Sequence, residues 1–191
     1  MNHNEPKGLA IATLCAIAAM SASAQAQSTA HQHHGAATAS PYAGEQSRDI
    51  KALSATETNN LLIGAGMGYA KAAELNGYPG PMHVLELARP LRLTDAQRTA
   101  TEKLLTEHKR EAREIGAQVV ALERQLDAAF ANKSVSERRI GELTTEIAVL
   151  LAKLRAAHLQ THLQQTALLQ VDQVAAYQKL RGYETSSGST H

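Results

Sequence analysis

Two long stretches of helical periodicity, joined by one short turn, constrain this sequence more than any other feature. Between Thr94 and about Ala131, apolar residues recur every three or four positions: Leu104, Ala112, Ile115, Val119, Leu122, Leu126 and Phe130. The second stretch begins at a capping box, Ser134-Val135-Ser136-Glu137, and its apolar residues are Ile140, Leu143, Ile147, Leu150, Leu151, Leu154 and Leu168. Helices of about 50 Å that are joined only through Asn132-Lys133 must lie antiparallel. The sequence therefore predicts an all-α fold built on a long antiparallel helical hairpin.

A shorter helix is predicted before the hairpin, over residues 55–75. Its start is the capping box Ser54-Ala55-Thr56-Glu57, in which the serine and the glutamate satisfy each other's free backbone donors. Three glycines weaken its middle, where we expect a kink or a close contact: Gly64, Gly66 and Gly68.

A second short helix and a final helix complete the predicted helical domain, which spans residues 48–183. Pro81 follows the helix-breaking segment 76–80 and predicts a helix through Ala88. The final helix covers 171–181 and ends at Gly182, a natural left-handed cap. Because one hairpin cannot bury both of its faces, the remaining apolar residues favour a homodimer.

The two ends of the chain carry export and low-complexity signals. Lys7, an apolar run over 8–20 and the small residues before Ala24 are typical of a secretory signal peptide over residues 1–24. We expect cleavage near Ala24, which removes the single Cys15 and leaves a periplasmic chain without disulfides. The segments 25–47 and 184–191 are predicted to be disordered tails.

Composition argues against nucleic-acid binding and against catalysis. Aromatic residues make up only 3% of the chain and the formal net charge is +1, so neither base stacking nor phosphate attraction is favoured. The glycine-rich segment 64–68 lacks a preceding strand, and Tyr69 holds the position of the third glycine of a dinucleotide loop. With no thiol and no paired acid–base groups in the helical domain, we expect a binding protein rather than an enzyme.

Three histidines of the hairpin form a candidate metal site. His158 and His162 are spaced i,i+4 and share one helix face, and His108 lies level with His158 because both are equally far from Lys133. Glu111, or Glu107, is near enough to complete or orient such a site. Three imidazoles and a carboxylate suit zinc or another divalent transition metal. The alternative is a polar layer that only fixes the register of the hairpin, or exposed histidines.

Two further groups of residues are weaker candidates for metal binding. His31, His33 and His34 in the N-terminal tail suit loose binding of copper, nickel or zinc, or are only part of a polar tail. Met67, Met82 and His83 suit copper(I), although methionines that fill the core are the simpler interpretation.

Two short motifs resemble those of a known family. Leu93-Thr94-Asp95-Ala96-Gln97 is similar to the LTxxQ motif of the Spy/CpxP-like periplasmic proteins, which include stress chaperones and heavy-metal sensor and resistance proteins. Leu169-Gln170-Val171-Asp172-Gln173 resembles the second copy of the motif, with glutamine in place of the threonine. The resemblance implies a bent hairpin that dimerises into a cradle and works without ATP or a required cofactor.

Three functions remain open from the sequence. The first is an ATP-independent chaperone or envelope-stress modulator that binds unfolded or misfolded envelope proteins. The second is a sensor or resistance protein that binds zinc, nickel, cobalt or copper through His108, His158 and His162 and reports to a membrane sensor. The third is a structural coiled-coil partner in an envelope complex.

Overall fold

The computed structural model describes residues 39–183, and this part of the chain is all-α, as predicted. Its six α-helices are α1 (Ala55–Ile63), α2 (Lys71–Glu74), α3 (Pro81–Glu86), α4 (Asp95–Ala131), α5 (Glu137–Ala167) and α6 (Val171–Leu180). None of the helices in this range is both long and apolar enough to cross a membrane. The predicted signal peptide, the tail histidines His31, His33 and His34, and the 184–191 tail lie outside the described residues.

Helices α4 and α5 are the long helices of the sequence analysis, and they pack against each other. The predicted capping box of α4 is present: Thr94 Oγ1 accepts from the Gln97 N–H at 3.2 Å, and Gln97 Oε1 accepts from the Thr94 N–H at 3.0 Å. The predicted start of α5 at Ser134 is wrong by two residues, because Ser136 is its N-cap and accepts from the Arg139 N–H. The connection needs those residues to turn, and Lys133 within it has a left-handed φ of 57°.

Three side-chain hydrogen bonds join α4 and α5 in reverse chain order. They pair Gln125 with Arg139, His108 with His158, and Thr101 with Gln165. The register predicted for His108 and His158 is therefore the one observed.

The helix predicted over 55–75 is two helices, so that prediction is wrong in its middle. Gly64 ends α1 with a φ of 66°, and α2 begins only at Lys71. The expected close contact is present at Gly64, where an added Cβ would lie 3.1 Å from the Cβ of Ala112. A closer contact that the sequence analysis did not predict lies at Gly116 of α4, where a Cβ would collide with the carbonyl of Leu61. This glycine lets α1 cross α4 at backbone contact distance.

The buried core consists of two clusters, one around the middle of the long helices and one at their end distant from the turn. One cluster joins α1, α4 and α5, and a second joins α3 and α6; they contain Ile50, Leu61, Ala112, Val119, Val120 and Leu154, and Val84, Leu91, Leu169 and Tyr177. Phe130 was predicted to lie on the buried stripe but is 53% exposed. Leu122 and Leu126 are only half-buried, and the segment before α1 borders Leu126 through Lys51 and Ala52.

Smaller differences concern the ends of the predicted segments. Helix α3 ends at Glu86 rather than Ala88, and turns continue to Arg92. Ordered turns also begin inside the predicted N-terminal tail, where Glu45–Ser47 forms a 3-10 helix. Gly182 has a φ of 71°, as expected for a residue that ends a helix.

Candidate metal-binding cavity

Among the described residues, the histidine and methionine side chains lie around one cavity. This histidine cavity has a volume of about 300 Å³ and lies between the 64–83 segment and the two long helices. Its chemically active lining residues are His83, His108, His158, His162, Met67, Met82, Glu74, Lys71 and Lys109. Both groups of candidate ligands from the helical domain, which the sequence left separate, thus border the same space.

His108 and His158 form a buried pair at the bottom of this cavity. Nε2 of His108 lies 3.0 Å from Nδ1 of His158, and the two side chains are only 9% and 4% exposed. Burial, and secondarily neighbouring histidines, lowers the pKa of His108 and lowers that of His158 to about 4. Both rings are therefore neutral at pH 7, which is the state in which imidazole binds a metal.

Each ring of this pair keeps one nitrogen without a partner. Nδ1 of His108 and Nε2 of His158 are buried and have no hydrogen-bond partner among the described residues. A buried polar atom left in this state costs about 1–3 kcal/mol. An ion or a ligand at Nε2 of His158 would remove part of this cost.

His162 is held in an orientation that leaves its Nε2 free. Its Nδ1 lies 2.7 Å from the carbonyl oxygen of Tyr78, so Nδ1 carries the hydrogen and donates it. The absence of a side chain at Gly80 makes room for the ring, since a Cβ there would lie 3.0 Å from Nε2. A metal-binding histidine is commonly oriented in this way, by a bond from its other nitrogen to a carbonyl.

Glu74 connects this cavity to the last helix. Its Oε2 is buried without a hydrogen-bond partner and lies 3.6 Å from Nδ1 of His162. Its Oε1 accepts hydrogen bonds from the hydroxyls of Tyr177 at 2.5 Å and Tyr183 at 3.2 Å. Burial and this carboxylate raise the pKa of Tyr177, so its hydroxyl stays a donor.

The mouth of the cavity carries His83 and the two methionines. Nδ1 of His83 lies 2.8 Å from Oε2 of Glu86, which again leaves Nε2 free. Met67 and Met82 are 39% and 46% exposed, so the interpretation of these residues as core-filling methionines is wrong.

The cavity does not contain a preformed metal site. Within residues 39–183, no three histidine, cysteine, aspartate or glutamate side chains already lie together at metal-binding separation. A bound ion would have to draw the imidazoles together by side-chain rotation.

Glu111 is not brought to the histidine cavity. It is exposed and lines a separate cavity of about 380 Å³ with Glu107 and Gln164, on another side of His108. The carboxylate at the histidine cavity is Glu74, which the sequence analysis did not propose. Its only sequence signal is the helix break that follows it, because that break lets the chain turn back onto His162.

The glutamines of the two LTxxQ-like motifs contact each other. Nε2 of Gln97 donates to Oε1 of Gln173 at 2.7 Å, and Nε2 of Gln173 donates to Oε1 of Gln97 at 3.0 Å. Gln97 also donates to the carbonyl of Leu168, and Gln173 to that of Leu91. The Leu93 and Leu169 side chains belong to the second core cluster beside this bond. The two motifs thus join the start of α4 to the start of α6.

Two apolar depressions lie near the turn of the long helices. One, of about 410 Å³, lies between α4 and α5 and is lined by Leu122, Val149 and Leu150 among others. The second, of about 490 Å³, is lined by Leu126 and Phe130. We call them together the turn grooves.

Comparison of the chain with family models, curated proteins and solved structures finds no match. The functional argument therefore depends on the residues themselves.

Proposed function

We propose that this chain is a periplasmic transition-metal-binding protein of the Spy/CpxP-like type and that the histidine cavity holds the ion. One observation carries the proposal. His158 and His162 are one helical turn apart and line the same cavity, and each has its Nδ1 in a hydrogen bond and its Nε2 without a hydrogen-bond partner in the described part of the chain. Neutral imidazoles in this tautomer are ligands for zinc, nickel, cobalt or copper.

In this proposal His108 orients the metal ligand His158 and is not itself the primary ligand. If Nδ1 of His158 donates to Nε2 of His108, the lone pair of His158 is at Nε2 and faces no protein donor. Outer-shell partners of this kind typically contribute 10–100-fold to metal affinity. Glu74 acts similarly on His162, because a carboxylate near Nδ1 makes the ring a stronger donor to the metal.

Zinc binding to the full chain, measured by competition with a chelator, tests the proposal. His31→Ala, His33→Ala and His34→Ala are combined in the starting protein so that the tail histidines do not contribute. We expect sub-micromolar affinity, a loss of about 100-fold in His162→Gln and a loss of about tenfold in His108→Gln. His191→Ala is the matched control, because it removes a histidine from outside the described residues.

Two outcomes would contradict this function. One is the absence of zinc, nickel, cobalt and copper(II) binding to the starting protein. The other is binding that is equal in His162→Gln and in the His191→Ala control. Circular dichroism of each variant shows whether the helices are intact.

The LTxxQ contact supports the resemblance that underlies the rest of the proposal. Because Gln97 and Gln173 bind each other reciprocally, the motifs have a joint structural role at the ends of two helices. On this basis we propose that the long helices form a hairpin cradle and that two chains form a homodimer. The partner is then a membrane metal or stress sensor.

Client binding is a second candidate, favoured by the turn grooves. Their apolar residues are open to solvent although they lie on long helices: Val149 is 47% exposed and Phe130 is 53% exposed. Lysine and glutamate residues border the same grooves, so an unfolded chain would meet both charge and apolar surface.

Suppression of aggregation of an unfolded protein without ATP tests this second candidate. Val149→Ser and Phe130→Ser should weaken the suppression. Leu163→Ser should not, because Leu163 is similarly exposed, at 56%, but lies at the opposite end of α5. Equal effects of the three substitutions would remove the grooves from consideration, and no suppression by the unchanged protein would reject client binding.

A further inference from the structure

The mouth of the histidine cavity differs chemically from its interior. The interior has imidazoles and the carboxylate of Glu74, whereas the mouth adds the thioethers of Met67 and Met82 and the imidazole of His83. Buried methionines would be explained by packing, but these two are exposed at the rim. Packing therefore does not explain why sulfur borders the cavity.

The backbone at Met67 presents its side chain to this rim at a conformational cost. Met67 has a φ of 44°, in the left-handed region that favours glycine, and it lies between Gly66 and Gly68. Non-glycine residues held in this region concentrate at binding sites, where the surrounding structure maintains the strain. A glycine would adopt this turn more easily, but it would provide no ligand.

The charge around the cavity also limits the kind of ion. Lys71 and Lys109 line it together with a single carboxylate, Glu74, and one oxygen of that carboxylate is occupied by Tyr177 and Tyr183. Calcium and magnesium need several oxygen ligands, which this lining does not provide.

We propose that the histidine cavity binds copper(I), with Met67, Met82 and the free Nε2 of His83 as the ligands at its mouth. Thioether and imidazole are the donors that select this soft, monovalent ion. The proposal deepens the proposed function, since it names the ion class of the same cavity. It also assigns His83 as a ligand in addition to His158 and His162.

The test compares a soft and a borderline ion on the same variants. Silver(I) serves as the air-stable probe for copper(I), and zinc is the probe for imidazoles alone. Both are titrated against competing chelators into the full chain with His31, His33 and His34 changed to alanine. Copper(I) itself is then measured under anaerobic conditions with a colorimetric chelator. The variants are the double substitution Met67→Leu/Met82→Leu, which keeps the side-chain volume, and His83→Gln.

We expect the double leucine variant to lose about 100-fold in silver(I) and copper(I) affinity and less than about threefold in zinc affinity, since only the soft ions use sulfur. Silver binding that is unchanged by the two leucines would overturn the proposal. An equal loss for silver and zinc would also overturn it, because the methionines would then act through packing.

The failure of this inference is distinguishable from that of the proposed function. Suppose that the zinc affinity does not depend on His162, whereas the silver(I) affinity depends on Met67 and Met82. The copper(I) site at the mouth is then supported, and the proposed divalent site is rejected. If zinc depends on His162 and silver does not depend on the methionines, the reverse holds.

Discussion

The two halves of the long helices are built in opposite ways. In the half distant from the turn, the interior contains buried polar side chains: Thr101, His108, His158, Thr161 and Gln165. In the half next to the turn, the buried side chains are apolar, as at Val119, Leu143 and Ile147, and further apolar side chains such as Phe130 and Val149 are exposed. The half with the less favourable residues for burial is the one that the short helices cover.

This difference shows that coverage by the short helices, in addition to hydrophobicity, decides what is buried in this molecule. Helix α1 crosses the middle of α4 at Gly116, and α2, α3 and α6 cover the half distant from the turn. Polar groups buried there are costly unless they are bonded or bind something. Thr101 and Gln165 are bonded to each other, although Oε1 of Gln165, like Nε2 of His158, has no partner within residues 39–183. Three of the residues with such unpartnered buried atoms line the histidine cavity: Glu74, His108 and His158.

Replacing one apolar residue in each half by alanine should change the free energy of unfolding most. Leu154→Ala should lower the free energy of unfolding by about 2–5 kcal/mol, because Leu154 is fully buried in the covered half. Leu122→Ala should cost less than about 1 kcal/mol, since Leu122 is half-buried at a turn groove. Urea denaturation measures both, and equal losses would mean that the turn half is covered in solution, as by a second chain.

The boundary between the halves depends on Gly116. Gly116→Ala should cost about 3 kcal/mol, because the new Cβ would collide with the carbonyl of Leu61 and displace α1. Gly141→Ala in α5 is the matched control, since nothing lies within 4 Å of its added Cβ. That control should stabilise the protein by about 1 kcal/mol through helix propensity. A neutral Gly116→Ala in thermal unfolding would place α1 away from α4.

Lowering the pH should destabilise the protein through the buried histidines of the covered half. The pKa of His158 is about 4 in the folded chain and 6.5 as a free side chain. Below pH 6.5 the unfolded chain therefore binds a proton at this residue, whereas the folded chain does not. Stability is therefore lost as the pH falls, by about 2 kcal/mol between pH 7 and pH 5 for this residue alone. Urea midpoints across this range measure the slope, and His158→Gln should make it shallower. A slope unchanged in that variant would mean that His158 is charged in the folded state.

The smallest effect tests the start of α4. Thr94→Ala removes the side-chain acceptor of the Gln97 N–H and should cost about 1 kcal/mol. Gln170→Thr is the matched change at the second motif, where the hydroxyl cap is missing, and should gain a few tenths of a kcal/mol. Melting temperatures that do not respond to Thr94→Ala would contradict a helix start at this residue.

Much of this architecture was predictable because local rules govern it. The capping boxes at Ser54 and Thr94 follow from residue spacing at a single helix start. The pairing of His108 with His158 follows from their equal distances from the turn at Lys133. The break after Ile63 was predicted as a kink only, since glycine spacing does not show how far the chain departs from a helix.

The remaining parts of the site depend on tertiary contacts that periodicity does not encode. Glu74 and the Tyr78 carbonyl reach His162 only because α2 and the following loop fold back over α5. Glu111 looked suitable because it is three residues after His108, but the covering helices define the cavity on another side of that histidine. The exposure of Met67 and Met82 could not be predicted from the sequence either, because helical periodicity does not indicate which short segments are covered by others.

The proposed metal site requires that His158 and His162 have Nε2 atoms that are free to bind an ion. Nitrogen-15 NMR of the histidine rings at pH 7, without and with one equivalent of zinc, reports this property. We expect that in the metal-free protein both residues carry their hydrogen on Nδ1, and that zinc shifts the Nε2 signals of both. Hydrogens on Nε2 of these two residues, or Nε2 signals that do not respond to zinc, would contradict the proposed site.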